Sequence, residues 1–166
     1  MGGVGQGAAP QTPLLSRLDL DLVGAGRRWE TAGVDDPVFD LTNCFVHLGR
    51  GGTVVPVPEF DWTPDALARH EARFDDDGDD GRLVTVLPQA QTWDSWERHP
   101  AGDELVVVLS GHLELVQQLD GDTRRLSLTA GQAAINPRGV WHTAIVHEPG
   151  HALFVTAGRG TEVHRP

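Results

Sequence analysis

Two histidines and two glutamates in the second half of the chain have spacings that suit metal binding. Glu97, His99 and Glu104 lie in the segment WERHPAGDELVVVLSG, and His142 ends the segment GQAAINPRGVWH. Imidazole nitrogens and carboxylate oxygens bind borderline divalent ions such as iron, manganese, nickel, copper or zinc, and they suit thiolate chemistry poorly. Two histidines and one carboxylate with open positions are also the ligands of non-haem iron enzymes that use oxygen. We therefore take these four residues as candidate metal ligands.

Short β-strands are the elements that would bring these side chains together. Side chains alternate between the two faces of a strand, so Glu97 and His99 point the same way. A turn containing proline and glycine separates them from Glu104, which begins a second strand, and a similar turn precedes the strand that begins near His142. If the shared faces line one barrel interior, the imidazoles and carboxylates converge there.

The two segments resemble the two signature motifs of the cupin superfamily, H-x-H-x4-E-x6-G and G-x5-P-x-G-x2-H-x3-N. The motif positions are filled here, in chain order, by Glu97, His99, Glu104, Gly111, Gly131, Pro137, Gly139, His142 and Val146. The resemblance implies a jelly-roll barrel whose usual metal ligands are three histidines and a glutamate. Glu97 replaces the first histidine, and Val146 replaces the final asparagine. A second carboxylate adds negative charge and favours harder ions such as Mn(II) or Fe(II); a metal-free polar pocket is the alternative.

The predicted barrel interior also offers an apolar lining. Strand phase places five further side chains around the candidate ligands: Trp93, Val106, Val108, Ala144 and Val146. An apolar wall with a few polar groups is the usual form of a small-molecule site, so we expect a small, partly apolar organic substrate. We predict a metal-dependent enzyme of the oxygenase, isomerase, cyclase or lyase type, with Glu97 or Glu104 as a base. The alternative is a non-catalytic protein that binds or senses a small molecule, with or without metal.

Composition argues against several other functions. The 166 residues carry a net charge of -11, and they include neither lysine nor tyrosine. Binding to nucleic acid or to a membrane surface needs clustered basic groups, so neither is expected. Schiff-base chemistry on a lysine is excluded. The single cysteine, Cys44, cannot form an internal disulfide, and the N-terminus lacks the pattern of a signal peptide, so we expect a cytoplasmic protein.

The sequence divides into three predicted parts. Residues 1–13 are rich in glycine, alanine, glutamine and proline and are predicted to be disordered. Residues 14–81 are predicted to supply strands and one helix, capped by Thr63, that pack on the barrel. Residues 82–166 contain short strands with regular turns and are predicted to form an all-β, jelly-roll barrel core. Since edge strands of such barrels pair readily, we also expect a homodimer, which light scattering at the 17.9 kDa mass of one chain would contradict.

The remaining polar clusters carry no specific function in the sequence. The acidic run DDDGDDG lacks the final glutamate of an EF-hand loop, and we interpret it as a solvated loop. His147 and His151 flank a predicted turn at Glu148–Gly150 and are interpreted as surface residues. His47 shares a predicted strand with Phe45, within reach of the pocket.

Overall fold

The computed structural model describes residues 38–165, which form a curled antiparallel sheet and one α-helix. The elements are β1 (Cys44–Gly49), β2 (Thr53–Pro58), α1 (Pro64–Arg73), β3 (Arg82–Gln89), β4 (Trp96–Arg98), β5 (Glu104–Leu119), β6 (Asp122–Thr129), β7 (Ala133–Asn136), β8 (His142–Thr156) and β9 (Glu162–His164). This architecture confirms the predicted all-β fold with one short helix in the N-terminal half. The predictions for residues 1–13 and for the start of the 14–81 segment lie outside the described residues.

Two long strands, β5 and β8, form the centre of the sheet. They pair with each other, and β5 also pairs with β6 and β7. The start of β8 pairs with β4, whereas its second half pairs with β3, and β3 continues the sheet to β1 and β2. β8 therefore connects β4 to β3 and, through β3, to β1.

Two glycines lie at bends within continuous strands, so the turn predicted at Glu148–Gly150 was wrong. β5 continues through Gly111, which has a φ of 82°, and the β5–β8 register shifts around this point. β8 continues through Gly150, where an added Cβ would lie 1.9 Å from the carbonyl oxygen of Ser110. Because glycine has no side chain, the backbones of β5 and β8 can pass close to each other at Gly111 and Gly150. The two strands pair again beyond this irregularity in their register.

The helix begins as its sequence predicts. The Thr63 hydroxyl accepts a hydrogen bond from the Ala66 amide at 3.2 Å, and Pro64 occupies the first helical position, where no amide hydrogen is needed. No helix between residues 38 and 165 combines the length and apolar character that crossing a membrane would require.

Two clusters of buried apolar side chains form the hydrophobic core. The larger comprises Val106, Val108, Leu113, Leu115, Leu128, Ala144, Ala152 and Phe154. The smaller comprises Phe45, Val57 and Leu83, against which Phe60, Phe74 and Leu87 pack. Leu87 contacts both clusters and lines the cavity described below.

Candidate metal centre

The four candidate ligands come together inside the sheet. Glu97 on β4 is the direct cross-strand partner of His142 on β8, and His99 follows β4 by one residue. Donor atoms of Glu97, His99 and His142 lie within 4.8 Å of one another. Glu104, at the start of β5, places its two carboxylate oxygens 3.3 Å from His99 Nε2 and 3.4 Å from His142 Nε2. The spacing in the sequence thus corresponds to a real cluster.

Hydrogen bonds on the far side of each ring indicate its tautomer. His142 Nδ1 lies 3.1 Å from the Val140 carbonyl oxygen, which can only accept, so Nδ1 carries the hydrogen. The Thr161 hydroxyl donates its single hydrogen to the Gly158 carbonyl at 2.8 Å, so it accepts from His99 Nδ1 at 2.9 Å. A neutral ring protonated at Nδ1 has a lone pair on Nε2. Both rings are therefore set to offer Nε2 as a metal ligand.

Within residues 38–165 the two Nε2 atoms have no hydrogen-bond partner, although both are buried. In the neutral rings, these lone pairs meet the Glu104 carboxylate, which is also an acceptor, so no hydrogen bond can form between them. Buried polar atoms without partners are uncommon in folded proteins. A cation held by the Nε2 atoms of His99 and His142 and by Glu97 would satisfy these atoms. The residues present therefore fit a divalent metal ion.

Glu104 is held as an anion within this cluster. The Thr156 hydroxyl donates to Oε1 at 2.5 Å, and the Asn136 amide donates to Oε2 at 3.0 Å. Burial on its own raises the pKa of Glu104, but His142 and His99, whose rings donate to it and attract it when they are protonated, hold that pKa far below its usual range. This carboxylate is thereby fixed in position and in charge.

The pKa of His142 is shifted in the opposite direction from that of Glu104. Burial lowers the pKa of His142, but Glu104, the Val140 carbonyl and Glu97 outweigh it and raise that pKa above its ordinary value. A proton would therefore compete with a metal ion for Nε2 of His142.

Glu97 differs from Glu104 in both exposure and acidity. Its side chain is 28% exposed and lies on the cavity wall. Burial, and then the negative charge of Glu104, raise the pKa of Glu97, while His99 and His142 lower it by less. Two neighbouring carboxylates with pKa values shifted in opposite directions are typical of acid–base sites.

A cavity of about 660 Å³ adjoins the cluster, and its wall includes Glu97, His99 and Glu104. Its apolar lining consists of Trp62, Leu67, Phe74, Leu83, Leu87, Pro88, Trp93, Phe154 and Val163. Of the predicted lining residues, Trp93 is on this wall. Val106, Val108, Ala144 and Val146 lie instead in or against the larger core cluster, and none of these four residues lines the cavity.

Sequence reasoning missed the residues that support the ligands. Asn136 on β7 pairs with Glu104 and directly precedes the motif proline. The sequence feature that could have identified it is a polar residue at the end of a strand. Gln117, which is fully buried, donates to Asn136 Oδ1 at 2.7 Å and extends this support. Thr161 lies beyond both motifs, and no local pattern marks it.

The fold and the cluster define a class: small antiparallel barrels with histidine and carboxylate side chains in the interior. Residues 82–158 match the family model of the cupin domain, and this part of the chain is a cupin domain. The match covers all four candidate ligands and excludes β1, β2 and α1.

Several solved structures resemble the chain. A cupin-2 domain containing protein from Shewanella frigidimarina is 19% identical, with a TM-score of 0.38, over 51% of this chain and 71% of that chain. Hydroquinone 1,2-dioxygenase from Sphingomonas sp. TTNP3 is 18% identical, with a TM-score of 0.39, over 45% of this chain and 58% of that chain. Oxalate decarboxylase from Bacillus subtilis is 17% identical, with a TM-score of 0.42, over 51% and 23%. The chain spans less than two thirds of the dioxygenase and the decarboxylase, and no curated protein matches it.

Proposed function

We propose that this protein is a metal-dependent cupin enzyme that acts on a small, partly apolar organic substrate. One observation carries the proposal: two buried Nε2 atoms without partners lie beside a carboxylate cluster on the wall of a largely apolar cavity. The volume of about 660 Å³ is within the range of small-molecule sites. The substrate would bind with its reacting end at the cluster and its apolar part along the aromatic wall.

The residues at this metal centre have different roles. His99, His142 and Glu97 would hold the ion, and Glu104 would neutralise its charge from the buried side. A bound iron, manganese, nickel, copper or zinc ion would supply Lewis-acid polarisation of a substrate oxygen and, for iron or copper, access to oxygen chemistry. Thr161 orients the His99 ring through Nδ1. Ligand rings held in this way need little rearrangement on binding.

If Glu97 does not hold the ion, it is the residue that we assign to proton transfer. Its raised pKa and partial exposure suit a group that accepts a proton from a bound substrate and returns it. Trp93 forms part of the wall nearby, and its indole Nε1 donates to Gln89 Oε1 at 2.8 Å, which fixes the ring plane. Oxygenase, isomerase, cyclase and lyase reactions all fit this arrangement, as does binding without turnover.

The decisive experiment is the metal content of the protein purified without added metal, measured by elemental mass spectrometry. We expect near-stoichiometric metal in the parent and almost none in a His99→Ala/His142→Ala double variant, because both Nε2 ligands are lost. His112→Ala, which removes a histidine outside the cavity, should retain the metal of the parent. Absence of metal in the parent, with none taken up on reconstitution, would contradict the proposal and favour a metal-free binding pocket.

The role of Glu97 can be separated in the same experiment. If Glu97 is a ligand, Glu97→Ala should reduce the metal content as much as His99→Ala does. Equal metal in Glu97→Ala and the parent would show that Glu97 acts only on the proton or on the substrate. The homodimer and the cytoplasmic location stay predictions.

A further inference from the structure

A second pair of histidines lines the same cavity, apart from the metal centre. His47 lies on β1 and His70 on α1, and their ring centroids are 5.1 Å apart. His47 is 3% exposed, and its Nδ1 has no hydrogen-bond partner among the described residues; the same is true of the buried Nε2 atom of His70. Two unpaired buried nitrogens on a cavity wall indicate that a ligand supplies their partner.

Three contacts fix the His47 ring. Phe74 stacks on its face, with ring centroids 3.7 Å apart and planes inclined by 10°. Asp77 Oδ2 lies 2.9 Å from Nε2. The backbone of Gly81 packs against the ring edge, where an added Cβ would lie 2.9 Å from Cε1. The ring therefore presents Nδ1 in one fixed orientation.

Asp77 also determines which nitrogen of His47 carries the hydrogen. The Arg50 backbone amide, followed by the His47 ring, lowers the pKa of Asp77, so the carboxyl is ionised and can only accept. In the neutral ring the hydrogen must then be on Nε2, which leaves the lone pair on Nδ1. His47 is thus preset as a hydrogen-bond acceptor.

One row of side chains across the sheet connects His47 with the metal centre. The Thr156 hydroxyl donates to Glu104, Thr156 pairs with Leu83 on β3, and Leu83 pairs with His47 on β1. All four residues line the cavity. Three strand spacings separate the backbones of the two ends by about 14 Å along the sheet, and by less in a straight line because the sheet is curled. A single elongated ligand can therefore contact both ends.

We propose that His47, with His70 beside it, recognises a hydrogen-bond-donating group, such as a phenol or alcohol hydroxyl, at the end of the substrate remote from the metal centre. This inference rests on the proposed function, because the metal centre defines the other end. The substrate class is then an aromatic or aliphatic compound with a metal-binding oxygen at one end and a hydroxyl at the other.

The electrostatics of this subsite favour a neutral group. Burial, followed by repulsion from His47, lowers the pKa of His70 to about 4, so this ring is uncharged at neutral pH. Glu71 lines the cavity and Asp77 lies against His47, while Arg82 and Arg159 also line the cavity. The choice of group at His47 therefore depends on Nδ1: a carboxylate or phosphate oxygen would meet its lone pair, whereas a hydroxyl donates to that lone pair.

Three matched probes test the inference: 3-(4-hydroxyphenyl)propionate, its 4-methoxy analogue and 3-phenylpropionate. Binding is followed by tryptophan fluorescence, since Trp62 and Trp93 line the cavity. We expect the parent to bind the phenol about five- to tenfold more tightly than the methoxy compound, as one buried hydrogen bond provides. In His47→Phe, which retains an aromatic ring against Phe74, the ratio should fall to about one, while 3-phenylpropionate keeps its affinity within about twofold. His112→Phe, a matched change outside the cavity, should keep the preference of the parent.

A preference for the phenol that survives in His47→Phe, or no preference in the parent, overturns the inference. Failure of all three probes to bind at millimolar concentration also overturns it. A purely structural role for His47 would weaken all three probes equally and leave the ratio unchanged. Nitrogen-15 NMR of the parent gives a readout that needs no variant: Nδ1 should be unprotonated and should shift with the phenol probe alone.

Measurements with metal-loaded and metal-free protein separate this inference from the proposed function. If there is no metal centre, each probe binds the metal-loaded and the metal-free protein with the same affinity. The preference for the phenol over the methoxy compound, and its loss in His47→Phe, remain in that case. If the His47 subsite fails, loading with metal still tightens binding of the carboxylate probes while the preference for the phenol is absent.

Discussion

The two ends of the cavity both contain two histidines and a carboxylate that contacts a ring, but they are built in different ways. At the metal centre, strand pairing positions the groups, and Glu104 is 2% exposed with both oxygens hydrogen-bonded. At the other end, a strand, a helix and an acidic 3₁₀ segment meet, and the Asp77 side chain that orients His47 is 18% exposed. The first arrangement depends on the register of the sheet, whereas the second depends on how peripheral elements pack against it.

This difference shows where each part of the site can vary. A change of register in β5 or β8 would disturb the entire barrel, so the metal centre is tied to the stability of the fold. Changes in α1 or in the segment Asp75–Asp80 leave the ladder between β5 and β8 intact. Substrate recognition can therefore change at the His47 end without loss of the metal centre.

The largest expected contrast concerns the two carboxylates. Glu104→Ala should lower the free energy of unfolding by about 3 kcal/mol, because Asn136 and Thr156 lose their buried partner. Urea unfolding of metal-free protein measures this loss. Asp77→Ala serves as the matched change at the other end and should cost clearly less, since Asp77 is partly exposed. Equal losses of unfolding free energy in the two variants would contradict the distinction between the metal centre, which depends on strand register, and the His47 end, which depends on the packing of peripheral elements.

Thr161→Val tests whether the ring orientation at the metal centre matters. His99 Nδ1 loses its acceptor, so metal affinity should fall about 10- to 100-fold while the ligands themselves remain. Competition with a chelating dye gives the dissociation constant. Thr143→Val is the control, because the Thr143 hydroxyl donates to the Ser95 carbonyl and touches no ligand ring. A change in Thr161→Val no greater than that in the control would show that the His99 tautomer is set by other means.

The smallest expected effect is a pH dependence at the His47 end. The pKa of His70 is about 4 in the folded protein, against an ordinary value of 6.5. Between these values the unfolded chain binds more protons, so the stability contributed by neutral His70 is complete above pH 6.5 and decreases as the pH falls towards 4. His70→Gln should therefore flatten the decrease of the urea midpoint over this range. Parallel curves for parent and variant would contradict the assignment.

The fold and the cluster of four ligand candidates could be predicted because both depend on local spacing. Strand alternation places Glu97 and His99 on one face, and turn residues separate them from the next strand. Alternation does not show how deep a position lies in the barrel. Val106 and Ala144 face inwards as expected, but the interior is completely packed around them, and the cavity opens elsewhere.

The His47 end could not be predicted because its contacts join residues that are distant in the sequence. Asp77 and His47 are 30 positions apart, and the acidic run gave no sign that one of its members would meet a ring. The run is a 3₁₀ segment rather than a simple solvated loop, and Asp75 and Asp80 also pair with Arg159 and Arg50. Such tertiary pairs follow from packing, which spacing in the sequence does not encode.

The close crossing at Gly150 has a consequence for the evolution of specificity. The half of β8 before this glycine carries His142, and the half after it carries Phe154 and Thr156 on the cavity wall. Because a Cβ at Gly150 would collide with the Ser110 carbonyl, any larger residue must displace one of the two backbones. Substitution at Gly150, which is not part of the cavity wall, would thus disturb the placement of the β8 residues that are.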